Sequence, residues 1–185
     1  AYAFYDCQKL TSVEFPSSLT TINKAAFENC VGIRKLEIPE GVQVLGDACF
    51  DKCSSLESLT LPETLSRVGV AVFADCNQLT SVRIPSSLSM LNYGMFQRCT
   101  NLKKLQIEDG VTMIRASAFG ECSSLTELNI PASVSYVEEN AFWGCSALEI
   151  ITVAEGNKKY VPGEAYAALI DGEGTLVVGC RNTII

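Results

Sequence analysis

The chain has 185 residues, 48% of them hydrophobic, which is enough to bury one continuous core. Its formal net charge is −7 and it contains no histidine, so a nucleic acid or an anionic membrane surface is a poor partner for it. No run of about 18 apolar residues occurs, and the sequence therefore predicts no insertion into a membrane.

A short phrase, a phenylalanine followed three residues later by a cysteine, organises the chain from its first residues onward. The phrase recurs every 23 residues without slippage. A period in this range is typical of solenoid proteins, in which each repeat is one turn that buries its apolar face only against its neighbours. The phenylalanines are Phe4, Phe27, Phe50, Phe73, Phe96, Phe119 and Phe142, and the cysteines are Cys7, Cys30, Cys53, Cys76, Cys99, Cys122 and Cys145.

Apolar columns after each cysteine predict a short strand. The sixth and eighth residues after the cysteine are apolar in every repeat, and they point the same way on a strand because side chains alternate with a period of two. A proline follows in five of the seven repeats and ends the strand, since it has no N–H to donate. Within each 23-residue repeat, the strand and the turns leave no room for a full helix of about 11–12 residues. We therefore predict coils of strand and turn, with at most one helical turn each.

The repeat loses register at the C-terminal end, which predicts a repeat domain over 1–153 and a different segment over 154–185. Residues 154–163 are predicted to be a loop. Two apolar runs within 168–178 flank a glycine-rich link and predict a β-hairpin, which would cap the last coil or separate it from further repeats. Because the first residues already lie inside a repeat and no signal peptide is visible, we interpret the chain as a mature or excised piece.

The nine cysteines are predicted to be structural thiols. Seven share one column among apolar columns, where a thiol behaves as a small buried hydrophobe. Neighbouring coils are about 4.8 Å apart, so distance alone permits a disulfide, but equivalent sites in an odd-numbered ladder define no partners. Zinc needs about four converging ligands, which a straight column does not supply. We expect Cys49 to fill a core position and Cys180 to be the most exposed.

The phenylalanine–cysteine phrase, the strand columns and the proline together resemble the BspA-type leucine-rich repeat from residue 1 to about residue 153. This resemblance implies a right-handed solenoid with a parallel β-sheet. It also implies an extracellular or cell-surface location in a bacterium or protist, and adhesion to host or matrix proteins. The family offers no shared catalytic residues, so the resemblance implies no enzymatic activity.

The outward residues of the predicted strands form the candidate binding face. In a curved solenoid the sheet face is the usual extended binding surface. Its columns vary from coil to coil, which suits a ligand-specific surface and equally suits plain solvation. Arg83, Lys103 and Lys104 are expected to cluster and either attract an acidic ligand or serve only as a solvated surface. The candidate partner-binding residues are Glu14, Lys35, Glu37, Arg83, Lys104, Gln106, Glu127 and Asn129.

Two other groups of residues are candidates for a functional role. Glu14 and Glu37 are predicted to lie about 5 Å apart, as in a retaining glycosidase, but an open face has no pocket that would raise one pKa. We therefore interpret them as surface residues. Met90, Met113 and Tyr136 fall in one column and form an apolar stripe that is either a contact site or is covered by a turn.

The sequence thus predicts a non-enzymatic protein that binds a host or matrix protein, or a glycan, through its sheet face. The alternative is a structural spacer or stalk without a ligand of its own. No phosphate-binding loop, serine nucleophile motif or histidine-containing triad occurs. We expect no cofactor, no metal site and a monomeric state.

Overall fold

The structure, a computed structural model, describes residues 1–163 and 168–179. Over these residues the chain is a solenoid of about six turns built from parallel strands and turns, with no helix. None of the described part of the chain is a helix long and apolar enough to cross a bilayer. The predicted fold class is confirmed, including an antiparallel sheet after the last coil.

The coils contribute a longer and a shorter strand, except that the first coil has only the shorter one and the coil that follows Cys145 has only the longer one. The longer strands are β2 (Lys35–Glu37), β4 (Ser58–Thr60), β6 (Ser81–Ile84), β8 (Lys104–Ile107), β10 (Glu127–Ile130) and β12 (Ile150–Val153). The shorter strands are β1 (Thr21–Ile22), β3 (Val44–Leu45), β5 (Arg67–Val68), β7 (Met90–Leu91), β9 (Met113–Ile114) and β11 (Tyr136–Val137). Paired strands are parallel, and each residue lies beside the one 23 positions later, as Leu36 lies beside Leu59. The first repeat differs from the prediction, because residues 12–15 form no strand.

The turn that carries the phenylalanine forms a third hydrogen-bonded ladder. Three N–H groups of each turn donate to carbonyls of the next turn, as Phe27 does to Cys49 over 2.8 Å. The residues five before and one before each cysteine have a positive φ, such as 52° at Ala25 and 61° at Asn29. The left-handed conformation costs an L-residue about 1–2 kcal/mol, so the interlocking hydrogen bonds must hold it in place.

The phenylalanines stack along the axis of the solenoid. All six consecutive ring pairs from Phe4 to Phe142 are stacked, with centroids 5.0–5.6 Å apart and planes within 3–12° of each other. Each ring thus packs face to face on its equivalents in the coils before and after it. The shared column therefore places the same side chain in the same environment in every coil.

The cysteine column has a specific hydrogen-bonding role. From Cys30 to Cys145, each Sγ donates to the carbonyl of the phenylalanine 26 residues earlier, over 3.0–3.5 Å. These six cysteines and Cys49 are buried, whereas Cys7 is exposed because it belongs to the first coil and no coil covers it. The prediction of buried thiols is therefore confirmed for all of the column except Cys7. Cys180 lies outside the described residues.

Burial suppresses ionisation of these thiols. Desolvation raises the pKa of Cys53 to about 12, and it also raises the pKa of the thiols of Cys30, Cys49, Cys76 and Cys99. The pKa of the Cys122 thiol rises for the same reason. A protonated buried thiol is a poor nucleophile and a poor metal ligand, so the column acts in packing.

Both strand ladders are interrupted at a shared boundary between β4 and β6 and between β5 and β7, which we call the central junction; the ladder of longer strands is also interrupted between β8 and β10. The longer strands pair as β2–β4, β6–β8 and β10–β12, and the shorter ones as β1–β3–β5 and β7–β9–β11. Side chains bridge this junction: Asn92 Nδ2 donates to the Val68 carbonyl over 3.2 Å and Ser87 Oγ to the Leu65 carbonyl over 2.6 Å. The turn ladder continues across it, since Phe73 N donates to the Met95 carbonyl.

Three antiparallel strands follow the last coil: β13 (Tyr160–Pro162), β14 (Ala168–Asp171) and β15 (Leu176–Gly179), in the order β13–β14–β15. The predicted hairpin is confirmed as β14 and β15. The prediction of an uninterrupted loop over 154–163 is wrong, because β13 pairs with β14. Whether 1–153 and 154–185 behave as separate units stays a prediction.

Two side chains join this sheet to the last coil. Asn157 Nδ2 donates to the carbonyls of Pro131 and Val134, and its Oδ1 accepts the N–H groups of Lys159 and Tyr160. The Tyr160 hydroxyl accepts the N–H of Val137, in β11, over 2.7 Å. In the other coils, the equivalent backbone groups form hydrogen bonds with the following coil. Here the side chains of Asn157 and Tyr160 supply those hydrogen bonds instead.

Candidate functional site

The sheet face presents the outward residues of the longer strands. Burial alternates along each strand, as in exposed–buried–exposed–buried for β6 and β10, so every second side chain reaches solvent. All eight candidate residues are exposed. Seven lie on β2, β6, β8 or β10, and Glu14 lies in the first repeat outside any strand.

Several charges of this face are already paired. Lys35 Nζ lies 2.6 Å from Glu37 Oε1. Arg83 donates through Nη1 to Glu63 over 2.5 Å and through Nε to Glu108 over 2.8 Å. These two hydrogen bonds, first the one to Glu63, raise the pKa of Arg83. Exposed pairs stabilise a fold by only about 0–1 kcal/mol, but they leave Arg83 with little unsatisfied charge for a ligand.

A groove of about 520 Å³ lies on the sheet face and crosses the strands β4 to β10. It contains Arg83, Lys103 and Lys104, so the predicted basic cluster is formed. No ion pair of the described residues includes Lys103 or Lys104. The lining residues are Leu59, Ser81, Val82, Arg83, Lys103, Lys104, Leu105, Gln106 and Glu127.

The floor of the groove is apolar. Leu59 and Leu105 belong to a core column in which Leu36 and Leu128 are each 1% exposed, yet both are only partly buried. Leu59 lies on β4 beside the unpaired edge of β6, and Leu105 lies on β8 beside the unpaired edge of β10. The interrupted ladder therefore leaves partly exposed two residues that the repeat pattern assigns to the core. Sequence reasoning missed them because the column itself is uniform.

The candidate residues that do not line the groove are Glu14, Lys35, Glu37 and Asn129. Glu14 lines a separate opening of about 350 Å³ at the N-terminal end of the solenoid, together with Phe4 and Phe15. Glu37 is paired with Lys35 and does not line that opening. Glu14 therefore lines an opening that Glu37 does not share, and both residues are exposed, which agrees with their interpretation as surface residues.

A second polar cluster was not found by sequence reasoning. The Arg115 guanidinium carbon lies 4.4 Å from the centre of the Tyr93 ring, and Arg115 Nε lies 3.0 Å from Glu138 Oε1 in an ion pair without hydrogen-bond geometry. This cluster adjoins the predicted apolar stripe, since Arg115 Nη1 donates to Met113 Sδ. Tyr136 is 47% exposed, so the stripe is not covered at this residue.

Comparison with known proteins identifies the repeat. The sequence profile described as BspA type leucine rich repeat region matches residues 1–103 and 90–169, in six copies. A leucine rich cell surface protein from Faecalibacterium prausnitzii superposes with a TM-score of 0.80 at 30% identity, covering 90% of this chain and 44% of that one. No curated protein matches the sequence.

Two further solved structures share the architecture. The leucine rich repeat protein of T. pallidum has a TM-score of 0.63 at 33% identity and covers 67% of this chain and 58% of its own. A leucine-rich repeat protein from Bacteroides ovatus has a TM-score of 0.68 at 25% identity, covering 81% and 45%. The chain thus spans about half the length of the structures that it matches.

Proposed function

The chain belongs to the BspA-type leucine-rich repeat family, and from that premise we propose that it is a non-enzymatic surface protein that adheres to a protein partner through its sheet face. A cell-surface location is supported by the name of the similar protein from Faecalibacterium prausnitzii. Binding would need no chemical step, cofactor or metal. Host or matrix proteins are the partner class that we propose.

The groove on the sheet face is the observation that carries this proposal. It gathers four of the eight candidate residues, namely Arg83, Lys104, Gln106 and Glu127. Its lining combines exposed charges with partly buried leucines, and buried apolar contacts surrounded by polar groups are typical of binding surfaces. A structural spacer without a ligand would need no such groove, only a uniformly solvated face.

An adhesion assay tests the proposal. Beads carrying the chain would be applied to cultured cells and to matrix-coated surfaces, with Lys104→Glu combined with Glu127→Lys as the groove variant. This exchange leaves the net charge unchanged, so a general charge effect is avoided. Lys158→Glu with Glu155→Lys makes the same exchange on the exposed segment after the last coil and serves as the matched control.

We expect the groove variant to lose at least tenfold in bead retention and the control to match the wild type. Thermal unfolding of all three proteins should agree, because the exchanged residues are exposed. Equal retention of the groove variant and the wild type would refute binding through this groove. Absence of retention for the wild type on every surface would favour the spacer.

A further inference from the structure

We infer that the groove on the sheet face binds an extended acidic peptide segment that places an apolar side chain on Leu59 and Leu105. This inference rests on the proposed function, and it names the chemistry of the partner. The cations of the groove, its apolar floor and its direction across the coils each contribute to the inference.

The unpaired charge of the groove, two lysines against one glutamate, is opposite in sign to the net charge of the chain. The chain carries a net charge of −7, whereas three cations and one anion line the groove: Arg83, Lys103, Lys104 and Glu127. Arg83 is held by Glu63 and Glu108, and the two lysines have no acidic partner among the ion pairs of the described residues. A local excess of unpaired positive charge attracts carboxylates and orients them as they approach.

The apolar floor distinguishes a peptide from a sulfated glycan. Both ligands would satisfy Lys103 and Lys104. Only a peptide would also cover Leu59 and Leu105 with a hydrocarbon side chain, at a gain of roughly 25 cal/mol for each Å² removed from water. Ser81 and Gln106 in the lining offer hydrogen-bonding groups to a peptide backbone.

The groove is of a suitable length for an extended segment. It crosses from β4 to β10, which are three coil spacings apart, so at about 4.8 Å per coil it runs for roughly 14 Å. An extended chain rises about 3.3 Å per residue, so roughly four to five residues fit. Alternating acidic and apolar residues would place the acids toward the lysines on one side and the apolar groups on the floor.

Synthetic peptides test this chemistry directly. Three fluorescein-labelled nonapeptides would be titrated with the full chain by fluorescence anisotropy at low and high salt. The first alternates aspartate and leucine, the second replaces the leucines by serine, and the third replaces the aspartates by lysine. We expect saturable binding of the first, at least fivefold weaker binding of the second, no binding of the third, and weaker binding in high salt.

Matched variants locate the site. Lys103→Glu with Lys104→Glu should weaken binding of the first peptide at least tenfold. Lys158→Glu with Lys159→Glu changes the net charge equally at another adjacent lysine pair and should stay within twofold of the wild type. Equal loss in both double variants, or equal binding of the leucine and serine peptides, would overturn the inference.

The outcomes separate this inference from the proposed function. Loss of bead retention in the groove variant, with no binding of any acidic peptide, would leave the proposed function standing and refute the peptide. If heparin then bound in a Lys103- and Lys104-dependent manner, the ligand would be a sulfated glycan. Peptide binding without any bead retention would support the groove chemistry and refute adhesion.

Discussion

Raising the pH from 8 to 10 is expected to destabilise this solenoid strongly under reducing conditions. The cause is the column of buried cysteines, whose pKa values are raised by desolvation; that of Cys53 rises to about 12. In the unfolded chain a cysteine thiol has its ordinary pKa of about 9. The stability contributed by each buried thiol is therefore complete below about pH 9 and is lost as the pH rises toward the folded value.

The magnitude follows from the number of thiols. At pH 10 a group that ionises only in the unfolded state, with a pKa of about 9 there, lowers the free energy of unfolding by roughly 1 kcal/mol. Together, five such groups would lower it by roughly 5 kcal/mol or more, which is a large part of the stability of a typical domain. The five thiols are those of Cys49, Cys53, Cys76, Cys99 and Cys122.

Urea denaturation at closely spaced pH values measures this effect. Circular dichroism and the fluorescence of Trp143 report unfolding, and a phosphine reductant keeps the thiols reduced. Cys76→Ala is the informative variant, since it is less stable at neutral pH but has one thiol fewer to ionise. It should lose roughly 1 kcal/mol less than the wild type between pH 8 and pH 10. A free energy of unfolding that stays constant over this range would refute the reasoning.

Three further predictions concern packing and access. Phe73→Ala should lower the free energy of unfolding by about 3–5 kcal/mol, and Phe4→Ala by less than half as much, because the ring of Phe4 is 46% exposed; equal losses in urea denaturation would contradict the stack. An aromatic disulfide reagent should label the exposed Cys7 rapidly in the native protein, and rapid labelling of buried Cys76, detected by peptide mass, would contradict its burial. Tyr160→Phe should lower stability by about 1–3 kcal/mol, because the N–H of β11 loses its acceptor; an unchanged melting temperature would show that water replaces the hydroxyl.

The sequence was sufficient to predict the solenoid because each repeated position has one environment. Phe50, Phe73 and Phe96 occupy equivalent positions, so the period alone indicates that they stack. The strands follow from alternation, and the hairpin follows from its glycine-rich link. Strand β13, which the sequence did not predict, has only three residues and ends in Pro162. Its start is held by hydrogen bonds to the side chain of Asn157, and no local sequence pattern indicates these bonds.

The groove could be predicted only in part. Its cations follow from the strand columns, since Arg83 and Lys104 lie on neighbouring coils. Its floor does not, because Leu59 and Leu105 are identical in type to buried members of the same column. Their exposure arises from where the ladder between coils is interrupted, and that depends on the geometry of the whole stack.

The central junction also has a mechanical consequence. A surface protein held at one end and gripped at the other transmits force from each turn to the next. Where both strand ladders are continuous, as between the coils of β6 and β8, that force is shared by two strand ladders and the turn ladder. Between β5 and β7 it falls on the turn, the rings of Phe73 and Phe96, and a few side chains such as Asn92. Under tension, the solenoid is expected to extend first at that boundary. The groove, which lies beside the boundary, would deform before the other coils separate.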